Sequence, residues 1–171
     1  MLLIPAMATV TQQLGFAFTS SVLQAHPFTF ARQLSTLDHL TKGRIAWNVV
    51  TSYLPNAGNN LGFDGLPDHE ERYSRAEEYL EVVYKLCEGS WSDDAVIINR
   101  SAGVYADPRK VRQINHRGPR YEVQGPHLSE PSPQRTPVLF QAGMSTRGRD
   151  FASSNAECIF VVTPTSGVAA L

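Results

Sequence analysis

His69 and Tyr73 stand four residues apart at the start of a strongly helical pattern, so an imidazole and a phenol project from one face of a helix near its beginning. A helix N-terminus carries unpaired N–H groups and a partial positive charge, and both favour an anion. Two side-chain donors beside it suit a phosphate. A plainer reading also fits: Tyr73 opens the apolar stripe of the helix, and His69 is an exposed first-turn residue. Gly143-Met144-Ser145-Thr146-Arg147-Gly148 forms a second strand-to-helix turn. Its glycines let backbone approach a ligand, Ser145 is placed as a helix cap, and Arg147 adds charge. The turn is neither a dinucleotide fingerprint nor a P-loop. It gains weight only as a second helix N-terminus able to face the same phosphate.

Three strand-like runs end in polar residues: Thr19-Ser20-Ser21, Asn48 with Thr51-Ser52, and Gln141 with Ser145. In parallel α/β folds the carboxyl ends of the strands carry the ligand site. Polar residues also simply begin loops, but three strands doing so together point to one shared site. Other chemistries find no support. The five histidines (26, 39, 69, 116 and 127) lack zinc-ligand spacing, and no metal site is expected. There is no Gly-x-Ser-x-Gly elbow and no cysteine set beside a base. Arg109, Lys110, Arg112, Arg117 and Arg120 form a basic run, read either as a solvated loop face or as part of a lid that attracts an anion.

The elements that must position these groups follow from periodicity and caps. Residues 2–13 read as a helix closed near Gly15, and Phe16–Val22 as a strand. Pro27 suits a first helical position, Phe30, Leu34, Leu37 and Leu40 follow at helical spacing, and Gly43 stops the helix. Ile45–Val50 is nearly continuous in apolar residues, as in a parallel strand covered on both faces. A loop rich in Gly, Asn and Pro spans 53–67. Asp68 and Glu71 then form a cap-and-reply pair for a helix carrying Tyr73, Ala76, Leu80, Val83 and Cys87, with Glu71–Arg75 and Glu81–Lys85 on its outer face, up to Gly89. From Trp91 to Thr136 only short strand-like runs appear, so a long functional loop is expected. Val138–Gln141 is a buried strand, 145–156 a helix and Cys158–Val162 a last strand. Alternating strands and helices imply a parallel sheet with crossover connections.

With 15 Lys+Arg against 16 Asp+Glu, the net charge of -1 argues against binding nucleic acid through bulk charge. No apolar run approaches the ~20 residues of a membrane span. Cys87 and Cys158 sit in apolar runs like buried free thiols, which fits a reducing compartment. The expectation is a soluble, cytoplasmic chain with neither a nucleic-acid nor a membrane partner. Its 171 residues ordinarily make one domain. However, the apolar opening from Met1 to Ala8 and the strand that runs into a turn at 161–167 suggest a piece of something longer.

Several stretches together resemble one family: Ala31-Arg32, Thr36-Leu37-Asp38-His39-Leu40, the run from Gly43 through Trp47-Asn48-Val49-Val50-Thr51-Ser52, His69-Glu70-Glu71-Arg72-Tyr73, and Ser132-Pro133-Gln134-Arg135-Thr136-Pro137. They are similar to the luciferase-like flavin monooxygenases, in the branch of the nitrilotriacetate, EDTA and dibenzothiophene-sulfone monooxygenases and the pristinamycin IIA synthase large subunit. The resemblance implies an α/β chain forming part of a TIM-type (β/α)8 barrel. Residues 1–163 would supply about four parallel strands with crossover helices, with a lid loop over 92–136 and an atypical tail at 164–171. It further implies reduced FMN (FMNH2) bound at the strand ends, O2 as co-substrate, a separate NAD(P)H:flavin reductase and, at full length, a homo-oligomer. On this reading His69, Tyr73 and Ser145 contact the flavin phosphate and Thr19 contacts the flavin. Asn48 faces the flavin or substrate, and His26 borders the substrate side. Ala25 replaces an acidic residue found before that histidine in several members. The activity implied is oxygenation of a small organic substrate, of the kind that ends in C–N or C–S cleavage. The family's earlier strands, one bearing a flavin-contacting Asp, and its later half have no counterpart here. A truncated, non-catalytic remnant is therefore the alternative reading.

Overall fold

Phe16–Ser21 (β1) and Ile45–Val50 (β2) pair in parallel in a computed structural model of the chain that describes residues 1–161. Val138–Gln141 (β7) joins β2, and Cys158–Ile159 (β8) joins β7, completing a four-stranded parallel sheet. The crossovers run through helices Pro27–Thr41 (α2), His69–Tyr84 (α4) and Thr146–Asn155 (α5). The expected partial barrel architecture, with four parallel strands and crossover helices, is therefore present.

The alternation of side chains gives the sheet two unlike faces. Phe16, Phe18, Ile45, Trp47, Val49 and Leu139 are buried beneath the helices. There Phe30 of α2 packs 4.5 Å from Trp47, and Tyr79 of α4 packs 5.9 Å from Phe30, ring centre to ring centre. The opposite face carries Ala17, Ala46 and Val138 in one row and Thr19, Asn48 and Phe140 in the next. In a closed barrel such a face points inward. The expectation that β2 is covered on both faces is corrected: Ala46, Asn48 and Val50 are only half-buried, because among the described residues the helices lie on one side alone.

Caps explain the helix ends. The His26 ring nitrogen Nδ1 accepts the Phe28 N–H at the start of α2, and Lys42 takes the left-handed conformation (φ 56°) after its end, followed by Gly43 (φ 78°). Asp68 accepts the Glu71 N–H at 2.8 Å at the start of α4. The expected reply from Glu71 is redirected, since its carboxylate pairs with Arg75 and Arg120. A π-turn over Lys85–Gly89 ends α4 where the glycine was expected to.

Several expectations need correction. The first helix is only Ile4–Thr9 (α1): Thr9 and Thr11 hydroxyls bond back to the Ala6 and Met7 carbonyls, closing the last turn, and Leu2, Leu3 and Val10 are exposed. Within the 53–67 loop, Pro55–Asn60 forms a short helix (α3), closed by the Phe63 N–H on the Gly58 carbonyl. Leu40 is exposed, and Thr41 takes the buried position instead. Cys87 is buried, its thiol pushed up to about 12 by burial, whereas Cys158 is exposed on the edge strand. The expected tail at 164–171 lies outside the described residues.

The 92–136 segment is more ordered than expected. Val96–Asn99 (β3) and Val104–Ala106 (β4) form one antiparallel ribbon, and His116–Arg117 (β5) and Glu122–Val123 (β6) another. Buried carboxylates fasten it. Asp38 of α2 accepts the Gln134 N–H at 2.8 Å and its side-chain amide at 2.7 Å. Glu78 of α4 accepts the backbone N–H groups of Arg120 and Tyr121. His127 meets the Ser35 hydroxyl at 2.8 Å. Members of the basic run are engaged locally: Arg109 with Asp107, Lys110 with Asp94, Arg117 with Glu122, and Arg120 with Glu71 and Glu78.

Candidate functional site

The carboxyl ends of β2 and β7 open into a cleft of about 370 Å³ lined by residues 49–53, His69, Arg72, Tyr73 and residues 141–145. Larger depressions lie along the β3–β4 ribbon and between α1 and α2, but only this one is bordered by strand ends and two helix starts. Residues 92–136, expected to form a lid, contribute none of its lining.

Two helix starts converge here. His69 Nε2 lies 3.1 Å from Ser145 Oγ, a contact between residues 76 apart in sequence. Ser145 also accepts the Gly148 N–H at 3.0 Å and so caps α5. Because Asp68 and Ser145 each take one N–H, the helix starts are less open than the sequence implied. The Tyr73 ring is tilted against His69 at 4.9 Å and is buried, and its hydroxyl rests against the turn between β7 and α5. A Cβ on Gly143 would sit 2.6 Å from that hydroxyl, and one on Gly148 would sit 2.7 Å from it. The phenol, the Gln141 amide and the close approach of the two glycines to each other leave no room for a side chain at either position. The Tyr73 hydroxyl itself bonds no described residue.

The charge around the cleft is uneven. Arg147 pairs with Glu77 at 2.7 Å and Glu70 at 3.4 Å, lying over the Tyr73 ring. Its hydrogen bond holds the Glu77 carboxyl below the usual carboxylate range. Arg72 has no carboxylate partner among the described residues. The sequence reading passed over this residue, although it is three positions after His69 on the same helix.

Polar strand ends do gather here. Ser52 adopts φ 64°, and its hydroxyl lies 2.7 Å from that of Ser21; Gln141 Oε1 accepts the Gly143 N–H at 2.5 Å. Deeper on the open face, Asn48 donates to Thr19 Oγ1 at 3.1 Å, while its own Oδ1 is buried without a partner among the described residues. His26 stands apart from the cleft lining, edge-on to Tyr121 at 5.5 Å. Of the expected site residues, then, His69, Tyr73 and Ser145 share one cleft, Thr19 and Asn48 form a neighbouring pair, and His26 belongs to neither cluster.

Known proteins are similar to this chain in sequence and fold. The chain is 61% identical over 161 residues to the long-chain alkane monooxygenase of Geobacillus thermodenitrificans (strain NG80-2), covering 94% of this chain and 37% of that protein. It is 58% identical over 160 residues to the dimethyl-sulfide monooxygenase of Hyphomicrobium sulfonivorans, covering 94% of this chain and 33% of that protein. A crystal structure of riboflavin lyase, with modified FMN and riboflavin, superposes with a TM-score of 0.90 at 44% identity, over 96% of this chain and 36% of that one. The chain thus spans about a third of the length of the curated relatives it matches. Over residues 1–170 it matches the luciferase-like monooxygenases, and it belongs to that family.

Proposed function

We propose that this chain is the phosphate-holding part of a two-component, FMNH2-dependent monooxygenase, which oxygenates a small organic substrate at a carbon or sulfur centre. The observation that carries the reading is the His69–Ser145 contact, which ties the starts of α4 and α5 together beside the Tyr73 hydroxyl, which bonds no described residue. The residues present fit the cofactor. His69, Tyr73 and Ser145 meet at one end of the cleft, where His69 Nδ1 faces Glu70 Oε1 at 3.1 Å and its Nε2 shares one hydrogen bond with Ser145 Oγ that a phosphate oxygen would replace. The buried Asn48 Oδ1, without a partner among the described residues, supplies an acceptor further in. When bound, reduced FMN supplies the electrons that activate O2.

The chain's own residues would act as follows. His69, Tyr73 and Ser145 hold the phosphate oxygens, and the two helix starts favour their charge. Thr19 and Asn48 orient the ring, with Nδ2 of Asn48 already committed to Thr19 and Oδ1 left for a donor. His26 spends Nδ1 on its helix cap, which leaves Nε2 for the substrate side. The apolar row of Ala17, Ala46 and Val138 keeps water from the inner face once a barrel closes over it. A separate NAD(P)H:flavin reductase as electron source, cytoplasmic placement and homo-oligomeric assembly at full length belong to the same reading. Among the described residues no helix is long and apolar enough to cross a membrane.

The test is calorimetric titration of the purified chain with FMN, followed by O2 consumption with a reductase, NADH and dimethyl sulfide or a long-chain alkane. Micromolar FMN binding that His69→Ala and Ser145→Ala each weaken about tenfold supports the reading. A natively folded chain that ignores FMN refutes it and leaves the non-catalytic remnant.

A further inference from the structure

We propose that Arg72 is the cation that selects a phosphorylated ligand in this cleft, an inference that rests on the phosphate reading above. Arg72 lines the cleft beside His69 and Tyr73. Its Nη1 donates to the Pro67 carbonyl at 2.5 Å, which pins the guanidinium plane against the loop before α4. Its Nε is buried and has no acceptor among the described residues, and its Nη2 bonds none of them. The edge formed by Nε and Nη2 is the fork that pairs with two oxygens of a phosphate or carboxylate.

The neighbouring charges are already spent. Glu70 and Glu77 hold Arg147, and Glu71 holds Arg75 and Arg120. Asp68 is occupied as the α4 cap. Arg147, the guanidinium that the sequence pattern favours, is therefore neutralised by two carboxylates, while Arg72 is opposed by none within ion-pair distance. A half-buried guanidinium with an unfilled fork, in the same cleft lining as His69, Tyr73 and Ser145, calls for an anionic oxygen cluster rather than a neutral group.

The experiment compares FMN with riboflavin, which lacks the phosphate, on the full chain and on Arg72→Gln and Arg72→Lys. The unmodified chain is expected to prefer FMN. Arg72→Gln should weaken FMN about tenfold to a hundredfold and leave riboflavin binding unchanged. Arg72→Lys keeps the charge but not the fork, and should recover only part of the loss. If Arg72→Gln unfolds, as read by circular dichroism, the lysine variant decides: FMN affinity equal to that of the unmodified chain overturns the proposal. Equal losses for FMN and riboflavin overturn it too, because they mark a merely structural role through Pro67. If FMN is preferred and neither variant changes that preference, Arg72 is excluded while the phosphate reading stands. If the unmodified chain shows no preference for FMN, the phosphate reading fails and the assignment of Arg72 fails with it.

Discussion

Glu78→Gln removes one charge from the α4 face that anchors the 92–136 segment, and its cost follows from the contacts. The carboxylate is 7% exposed. Oε1 accepts the Tyr121 N–H at 2.9 Å and the Arg120 N–H at 3.1 Å, while Oε2 faces the Arg120 N–H at 3.2 Å and its Nη1 at 3.4 Å. Glutamine keeps one acceptor but turns an NH2 toward Arg120, setting donor against donor. Losing a charge-assisted bond and stranding a buried donor costs about 2–4 kcal/mol. Burial alone would raise this carboxyl, yet the N–H groups of Arg120 and Tyr121 outweigh it and hold the group below its ordinary value of 4.5. Its stabilisation is therefore complete above that ordinary value and is lost as pH falls through the lower folded value. Urea unfolding followed by circular dichroism, at about pH 7 and about pH 3.5, reads both effects. With a slope of about 1–3 kcal/mol per molar urea, the midpoint near pH 7 should drop by about 0.7–4 M, and the gap to wild type should narrow in acid. Limited proteolysis should show new cleavage between residues 112 and 125. A midpoint that moves by less than about 0.3 M, or a gap of equal size at both pH values, refutes the anchoring role.

His127 is buried against Ser35 with Nδ1 unpartnered, and burial, aided by the charge of His39, pushes it down to about 4. The unfolded chain takes up the proton first, so stability should fall by up to about 3 kcal/mol between its ordinary value of 6.5 and 4, and His127→Asn should flatten that slope in urea midpoints. Phe30→Ala empties the ring cluster with Trp47, Phe18 and Tyr79, and should cost about 3–5 kcal/mol in the same urea assay. Gly143→Ala puts a methyl group 2.6 Å from the Tyr73 hydroxyl. It should weaken FMN about tenfold in calorimetry and cost about 1–3 kcal/mol of stability; unchanged binding would show that the Tyr73–turn contact does not shape the cleft.

Much of the framework was legible in the sequence because it is set by local chemistry. Pro27 opens α2 and Gly43 follows its left-handed end, Asp68 and Ser145 cap α4 and α5 by accepting N–H groups three residues on, and apolar runs mark β1, β2 and β7. Convergence of His69, Tyr73 and Ser145 was foreseeable, since parallel strands deliver their carboxyl ends to one side. The short helix in the 53–67 loop was hidden by its Gly and Asn content, because Gly58 packs against Gly65 rather than against an apolar stripe. The ordering of 92–136 was hidden as well. Its anchors are single polar side chains without periodicity.

By itself, the sequence determined the order of the elements, the caps that bound them and the residues available for a phosphate, all of which depend on neighbours along the chain. Only the tertiary structure decided which charges are spent and which stay free. Glu78 finds Tyr121 across 43 residues, Asp38 finds Gln134 across 96, and Arg147 finds Glu77 across 70, while Arg72 is left without a counter-ion among the described residues. A carboxylate that looks like a solvated helix face in sequence becomes a buried anchor once packing removes water, and the electrostatics of the cleft are set by those pairings.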